Sequence, residues 1–252
     1  MRSLSSLVAW GEPLKRSLAG IQNKVVNLHT FRREFLSASE FSDRAFDEVE
    51  ELASDQYWMR STDRAVKKLI EEVLPLAMVA RYLDIPGRRV SCKYLGESED
   101  DCDGQILVNG DWVTSGFMEA RYYIEITGAQ FKNEHLIREA LARYGSVFYD
   151  PKIHREGSKF RGDDKIISNA VVCDGDQEVL DTLSWINGAV QSKVKNRYLQ
   201  PCILIISLSP GRPLSLGEWT RIVNEFPRAV TRERFNKVFL VDAIAGVVHH
   251  AS

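Results

Sequence analysis

The chain has 252 residues, 44% of them apolar and 27% charged, with Gly 16 and Pro 8, which excludes a low-complexity chain and allows a substantial buried core. A formal net charge of −2 excludes the uniformly basic surface of a nonspecific nucleic-acid coat, so any such surface must be local. The four cysteines, Cys92, Cys102, Cys173 and Cys202, form no C-x-x-C or Cys/His pair, which argues against structural zinc.

In chain order, residues 1–61 read as an N-terminal helical region or extension, and 62–252 as an α/β domain, unless the two make one compact unit. The opening residues read as a loosely held arm. They lack the long apolar segment of a leader, and no window reaches the roughly 18 uninterrupted apolar residues of a membrane span, so a cytoplasmic chain without a membrane partner is expected. Helices are expected at 31–36 and 42–52. A third, over 62–83, carries Val66, Leu69, Ile70, Val73, Leu74, Ala77 and Ala80 at helical spacing and stops before the breaker Ile85-Pro86-Gly87.

The period then changes. Residues 89–94, 105–109, 112–114 and 120–127 read as strands of a meander, with Asn109-Gly110 as a tight-turn signal. A helix is expected over 134–144, a loop or irregular hairpin over 145–172, and a helix over 176–197. The run Cys202-Ile203-Leu204-Ile205-Ile206 reads as a buried strand, 216–226 as a helix and 237–243 as a strand. Such alternation predicts an α/β fold with a mixed central β-sheet flanked by helices.

Two acids stand at strand positions that bring chemistry to mind. Asp103 opens Asp-Gly-Gln-Ile-Leu-Val, and Glu125 lies within Tyr-Tyr-Ile-Glu-Ile-Thr, where Tyr123, Glu125 and Thr127 share one face and Tyr122, Ile124 and Ile126 the other. Tyr122 is expected to pack in the core. The preceding helix carries Glu71 and Glu72, of which Glu72 lies nearer the Leu69/Leu76 edge.

The stretch Asp103 to Thr127 resembles the metal-binding core of the PD-(D/E)XK, or restriction-endonuclease-like, nucleases, in which one strand supplies an Asp and the next a Glu or Asp followed two residues later by Lys. The flanking order, a Glu-bearing helix before the strands and a lysine-bearing helix before an apolar strand, extends the resemblance over roughly residues 62–208. It implies that Asp103, Glu125 and the Ile126 carbonyl hold Mg²⁺ or Mn²⁺, with Glu72 assisting, for hydrolysis of a DNA phosphodiester. RNA or a protein is the alternative partner.

The departure is Thr127 at the family's lysine position, since a hydroxyl supplies no cationic group. A lysine arriving from another element would compensate; Lys193 is the first candidate, ahead of Lys132 and Lys195. The competing reading is a catalytically inactive nuclease-like module that binds nucleic acid or protein. A local nucleic-acid surface is best sought in residues 152–165, which carry Lys152, His154, Arg155, Lys159, Arg161 and Lys165; the alternative there is a solvated loop. His249 and His250 read as a frayed or solvent-facing tail rather than a metal pair. The chain has no G-x-S-x-G elbow, Walker A loop or G-x-G-x-x-G fingerprint, so hydrolase-triad, ATPase and dinucleotide chemistries lack support.

Overall fold

The computed structural model describes residues 26–53, 63–96, 102–171, 174–208, 214–243 and 245–251, and builds them around one mixed sheet of seven strands. The expected opening arm, Thr62 and Cys173 lie outside the described residues. The strands are β1 (Leu36–Ser37), β2 (Arg89–Tyr94), β3 (Gly104–Asn109), β4 (Arg121–Ala129), β7 (Cys202–Leu208), β8 (Lys237–Asp242) and β9 (Val247–His250), adjacent in that order. β1 to β4 form an antiparallel meander, β4, β7 and β8 run parallel, and β9 returns antiparallel along β8. A separate hairpin joins β5 (His154–Glu156) to β6 (Lys165–Ile167).

Alternation along the strands divides the core. In β7, Ile203 and Ile205 join Phe239 and Val241 of β8 on one face, under the helix α1 (Ala38–Ala53) and the long helix α2 (residues 64–83). Leu204, Ile206 and Leu208 turn to the other face, under α4 (Gly175–Lys193) and α5 (Leu216–Glu225). A third cluster seats α3 (His135–Tyr144) and the hairpin around Phe131, Leu136, Ala140, Ile153 and Ile166. A strand buried on both faces needs apolar residues at every position, as the uninterrupted run in β7 supplies. Phe31, Phe41 and Leu52 belong to the first cluster, so the described N-terminal residues share the sheet's core.

Helix α2 has three parts: an α-helical turn Arg64–Lys68, a π-helical segment Leu69–Val73 and an α-helical segment Leu74–Leu83. Asp63 caps its start, accepting from the N–H groups of Ala65 and Val66. The π segment has a local cause. Pro75 carries no N–H for the carbonyl of Glu71 and its ring crowds that turn, while the Leu74 N–H reaches back five residues to the Leu69 carbonyl.

Four expectations are corrected. The helix expected over 31–36 is His29–Arg33, and Leu36 instead opens β1. Residues 112–114 are not a strand but part of a helical turn, Asp111–Thr114, because Gly110 at φ 116° turns the chain and its carbonyl accepts the N–H groups of Val113 and Thr114. The helix expected over 176–197 ends at Lys193. His249 and His250 are not a frayed tail; they pair with Leu240 and Phe239 in β9, and their rings lie 4.7 Å from Trp219 and 5.1 Å from Phe239.

Candidate active site

The β3–β4 ladder runs from Leu107 opposite Arg121 to Gly104 opposite Ile124, and the chain then changes its means of bonding. Asp103 donates its N–H to the Ile124 carbonyl at 2.8 Å, and its carboxylate accepts the Ile126 N–H at 2.7 Å. A side-chain oxygen thus replaces the backbone acceptor that a longer β3 would have offered. In an extended strand the N–H and C=O of one residue leave the same edge, so the Ile126 carbonyl also faces the Asp103 side. Gly104 permits the close approach: a Cβ there would lie 3.0 Å from both Leu76 and the Lys93 carbonyl.

Glu125 precedes Ile126 and projects onto the face covered by α4. It is buried, and a buried carboxylate is costly unless a cation or hydrogen bonds compensate it. Lys193, in the last turn of α4, supplies that partner, donating from Nζ to Glu125 Oε1. Thr127 is half-buried on the same face of β4, opposite Ile206 of β7. Lys193 thus brings a positive charge to Glu125 from the helix packed over β4. Lys132 and Lys195, the other candidates, are exposed.

Burial and the Glu125 charge, in that order, push the Asp103 carboxyl from its ordinary 3.8 up to about 6; Glu72 adds to the rise, while the Ile126 N–H and Lys193 oppose it. Asp103, Glu125, Glu72 and Lys193 are thus one electrostatic neighbourhood, with three acids against one lysine. Such a balance favours the arrival of a cation.

The two glutamates of the π segment part company. Glu72 accepts from the Tyr94 hydroxyl and stays within the field of Asp103. Glu71 turns to Arg138 of α3 at 2.5 Å and to Lys67 at 3.7 Å. Burial and the Glu72 hydrogen bond push the Tyr94 hydroxyl's pKa upward, and Arg32 lies 5.2 Å over the Tyr94 ring.

Two residues escaped the sequence reading. Tyr198, after α4, has its hydroxyl pushed up to about 12, first by burial and then by the charge of Glu125, with Asp103 contributing. Cys202 at the start of β7 is also pushed up to about 12, by burial and then by Glu125. Neither stands in a motif; only the return of β7 beside β4 brings them near.

Among the described residues, no three His, Cys, Asp or Glu side chains form one metal-holding group. The carboxylates of Asp103 and Glu125 and the Ile126 carbonyl are hard oxygen donors of the kind that could hold Mg²⁺ or Mn²⁺. Glu72 acts on this site through its charge, held by Tyr94.

In the basic stretch over 152–165, Arg155 is the residue held in a close ion-pair cluster. Arg155 pairs with Asp164 and, at 2.6 Å, with Glu139; Arg143 joins the same acids at 2.9 and 2.7 Å. Lys159 and Arg161 remain in solvent, in looser pairs of 3.4 and 3.6 Å. No helix among the described residues is long and apolar enough to cross a membrane. Comparison of the chain with protein-family models, with curated proteins and with solved structures returns no match.

Proposed function

We propose that this protein is a metal-dependent phosphodiester hydrolase acting on DNA, with Asp103 and Glu125 as its metal-binding acids and Lys193 as its catalytic lysine. The observation that carries the reading is the ammonium of Lys193 on Glu125, one residue from the Ile126 N–H that binds Asp103. The helix, antiparallel meander, helix and parallel strand order of α2, β2 to β4, α4 and β7 supports it as a restriction-endonuclease-like arrangement.

A divalent ion bound there supplies Lewis-acid charge to a scissile phosphate and lowers the pKa of an attacking water. Asp103 and Glu125 would hold the ion through their carboxylates, and the Ile126 N–H fixes the orientation of Asp103. Lys193 fixes Glu125 and keeps a positive charge beside the acids, where negative charge grows on the phosphate during attack. Glu72, oriented by Tyr94, adds negative potential that favours the cation.

The test is cleavage of linear duplex and single-stranded DNA, and of RNA, with Mg²⁺ or Mn²⁺ at neutral pH. Cleavage of DNA is expected, with loss on chelation and in folded Asp103→Ala and Glu125→Ala proteins. Cleavage that survives both substitutions overturns the site assignment. Nucleic-acid binding without cleavage in any metal assigns the fold to a binding module.

A further inference from the structure

The hairpin between β5 and β6 ends in a tip, Ser158-Lys159-Phe160-Arg161, that the fold leaves outside its cores. Phe160 is 99% exposed, so folding gains nothing from burying its ring. One exposed aromatic residue needs no explanation by itself. Here its setting calls for one, because the ring is flanked on both sides by cations and held out by a pinned turn.

Gly157 and Gly162 bracket the tip at φ 78° and 73°, in the left-handed region that favours glycine. A Cβ on Gly157 would lie 2.6 Å from the Asp163 carbonyl. The Ser158 N–H donates to Asp163 Oδ1 at 2.8 Å, and the Arg161 N–H to the Ser158 carbonyl at 3.0 Å. Below the tip, Arg155 is clamped between Asp164 and Glu139, which tie the hairpin to α3. The turn is therefore held at both ends while Phe160 projects into solvent.

The charges are sorted in the same way. Arg143 and Arg155 are engaged by Asp164 and Glu139, whereas the Lys159 and Arg161 side chains are 68% and 71% exposed in long surface pairs. Pairs of that kind contribute little and yield readily to a phosphate. Lys159 also lines a cleft of about 270 Å³ together with Glu71, Lys67, Gln130 and Arg138.

We propose that Phe160 is a stacking residue for an unpaired base of the nucleic-acid substrate, with Lys159 and Arg161 engaging the flanking phosphates. The proposal rests on the nuclease reading of the Asp103 site for its choice of partner. An aromatic face accepts any base, and the two cations follow the backbone, so the contact selects single strands or frayed ends without reading sequence.

The experiment is binding of a fluorescein-labelled oligothymidylate to the full chain in EDTA, read by anisotropy, beside a blunt duplex of the same length. Phe160→Ala is expected to weaken single-strand binding roughly tenfold and duplex binding much less, with Phe160→Trp restoring it. Lys159→Ala with Arg161→Ala should flatten the salt dependence, which Phe160→Ala leaves unchanged. The ring is fully exposed, so these variants should keep the wild-type unfolding curve. Equal affinity of wild type and Phe160→Ala overturns the proposal, as does absence of single-strand binding or Phe160-dependent sedimentation with anionic vesicles in its place. Metal-dependent cleavage is scored separately: cleavage with no effect of Phe160 defeats the stacking role alone, and Phe160-dependent binding without cleavage defeats the nuclease alone.

Discussion

Asp103 illustrates how one residue carries both structural and chemical roles. Its carboxylate closes the sheet by taking the Ile126 N–H, yet burial and Glu125 hold its pKa up at about 6. A carboxyl whose folded value lies above its unfolded one binds more protons when folded. Its stabilising contribution is therefore complete below about pH 4 and is lost as pH rises to about 6. In EDTA, Asp103→Asn should match wild type near pH 4 and exceed it above pH 6 by roughly 2 kcal/mol in denaturant unfolding, reduced from the full shift by solvent screening. Parallel stability curves across that window would show that Asp103 does not sit in the negative field described. The acids themselves were legible in the sequence, because strand alternation and the Asp-Gly start mark them. Lys193 was legible as a candidate, but its meeting with Glu125 across 68 residues depends on how α4 packs over β4.

At the scale of elements, local composition succeeded where one periodicity dominated and failed where a turn overrode it. Trp112, Val113 and Thr114 have strand-forming side chains, but the Gly110 carbonyl captures the N–H groups of Val113 and Thr114 in a helical turn. Nearness to the chain end makes His249 and His250 read as a tail, yet β9 folds back on the strand just before it, with Gly246 at φ 70° ahead of Val247. The π segment of α2 had a sequence signal in Pro75, whose missing N–H widens the turn carrying Glu71 and Glu72. Pro75→Ala returns that donor and lets the helix close in α register, rotating Glu72 away from Tyr94. The expected outcome is a thermal midpoint near that of wild type with DNA cleavage reduced on the order of tenfold or more. Full activity in this variant would remove Glu72 and the π segment from the account.

The whole molecule places these parts at the junction of an antiparallel meander and a parallel return, where β3 stops, β4 continues and α4 delivers a lysine. The alternation of elements and the mixed sheet were readable in advance; the approach of Tyr198 and Cys202 to the site was not, since it depends on the parallel crossover that sets β7 beside β4. On the proposed nuclease reading, Lys193 performs at this junction the work that Thr127 cannot. That role is tested by measuring Mn²⁺-dependent cleavage of linear DNA by wild type, Lys193→Met, and Lys193→Met combined with Thr127→Lys, with unfolding curves taken in parallel because Glu125 loses a buried partner in the second protein. Expected are cleavage by wild type, at least a roughly hundredfold loss in folded Lys193→Met, and substantial recovery when the lysine is restored from position 127. Cleavage by Lys193→Met at the wild-type rate would contradict that role.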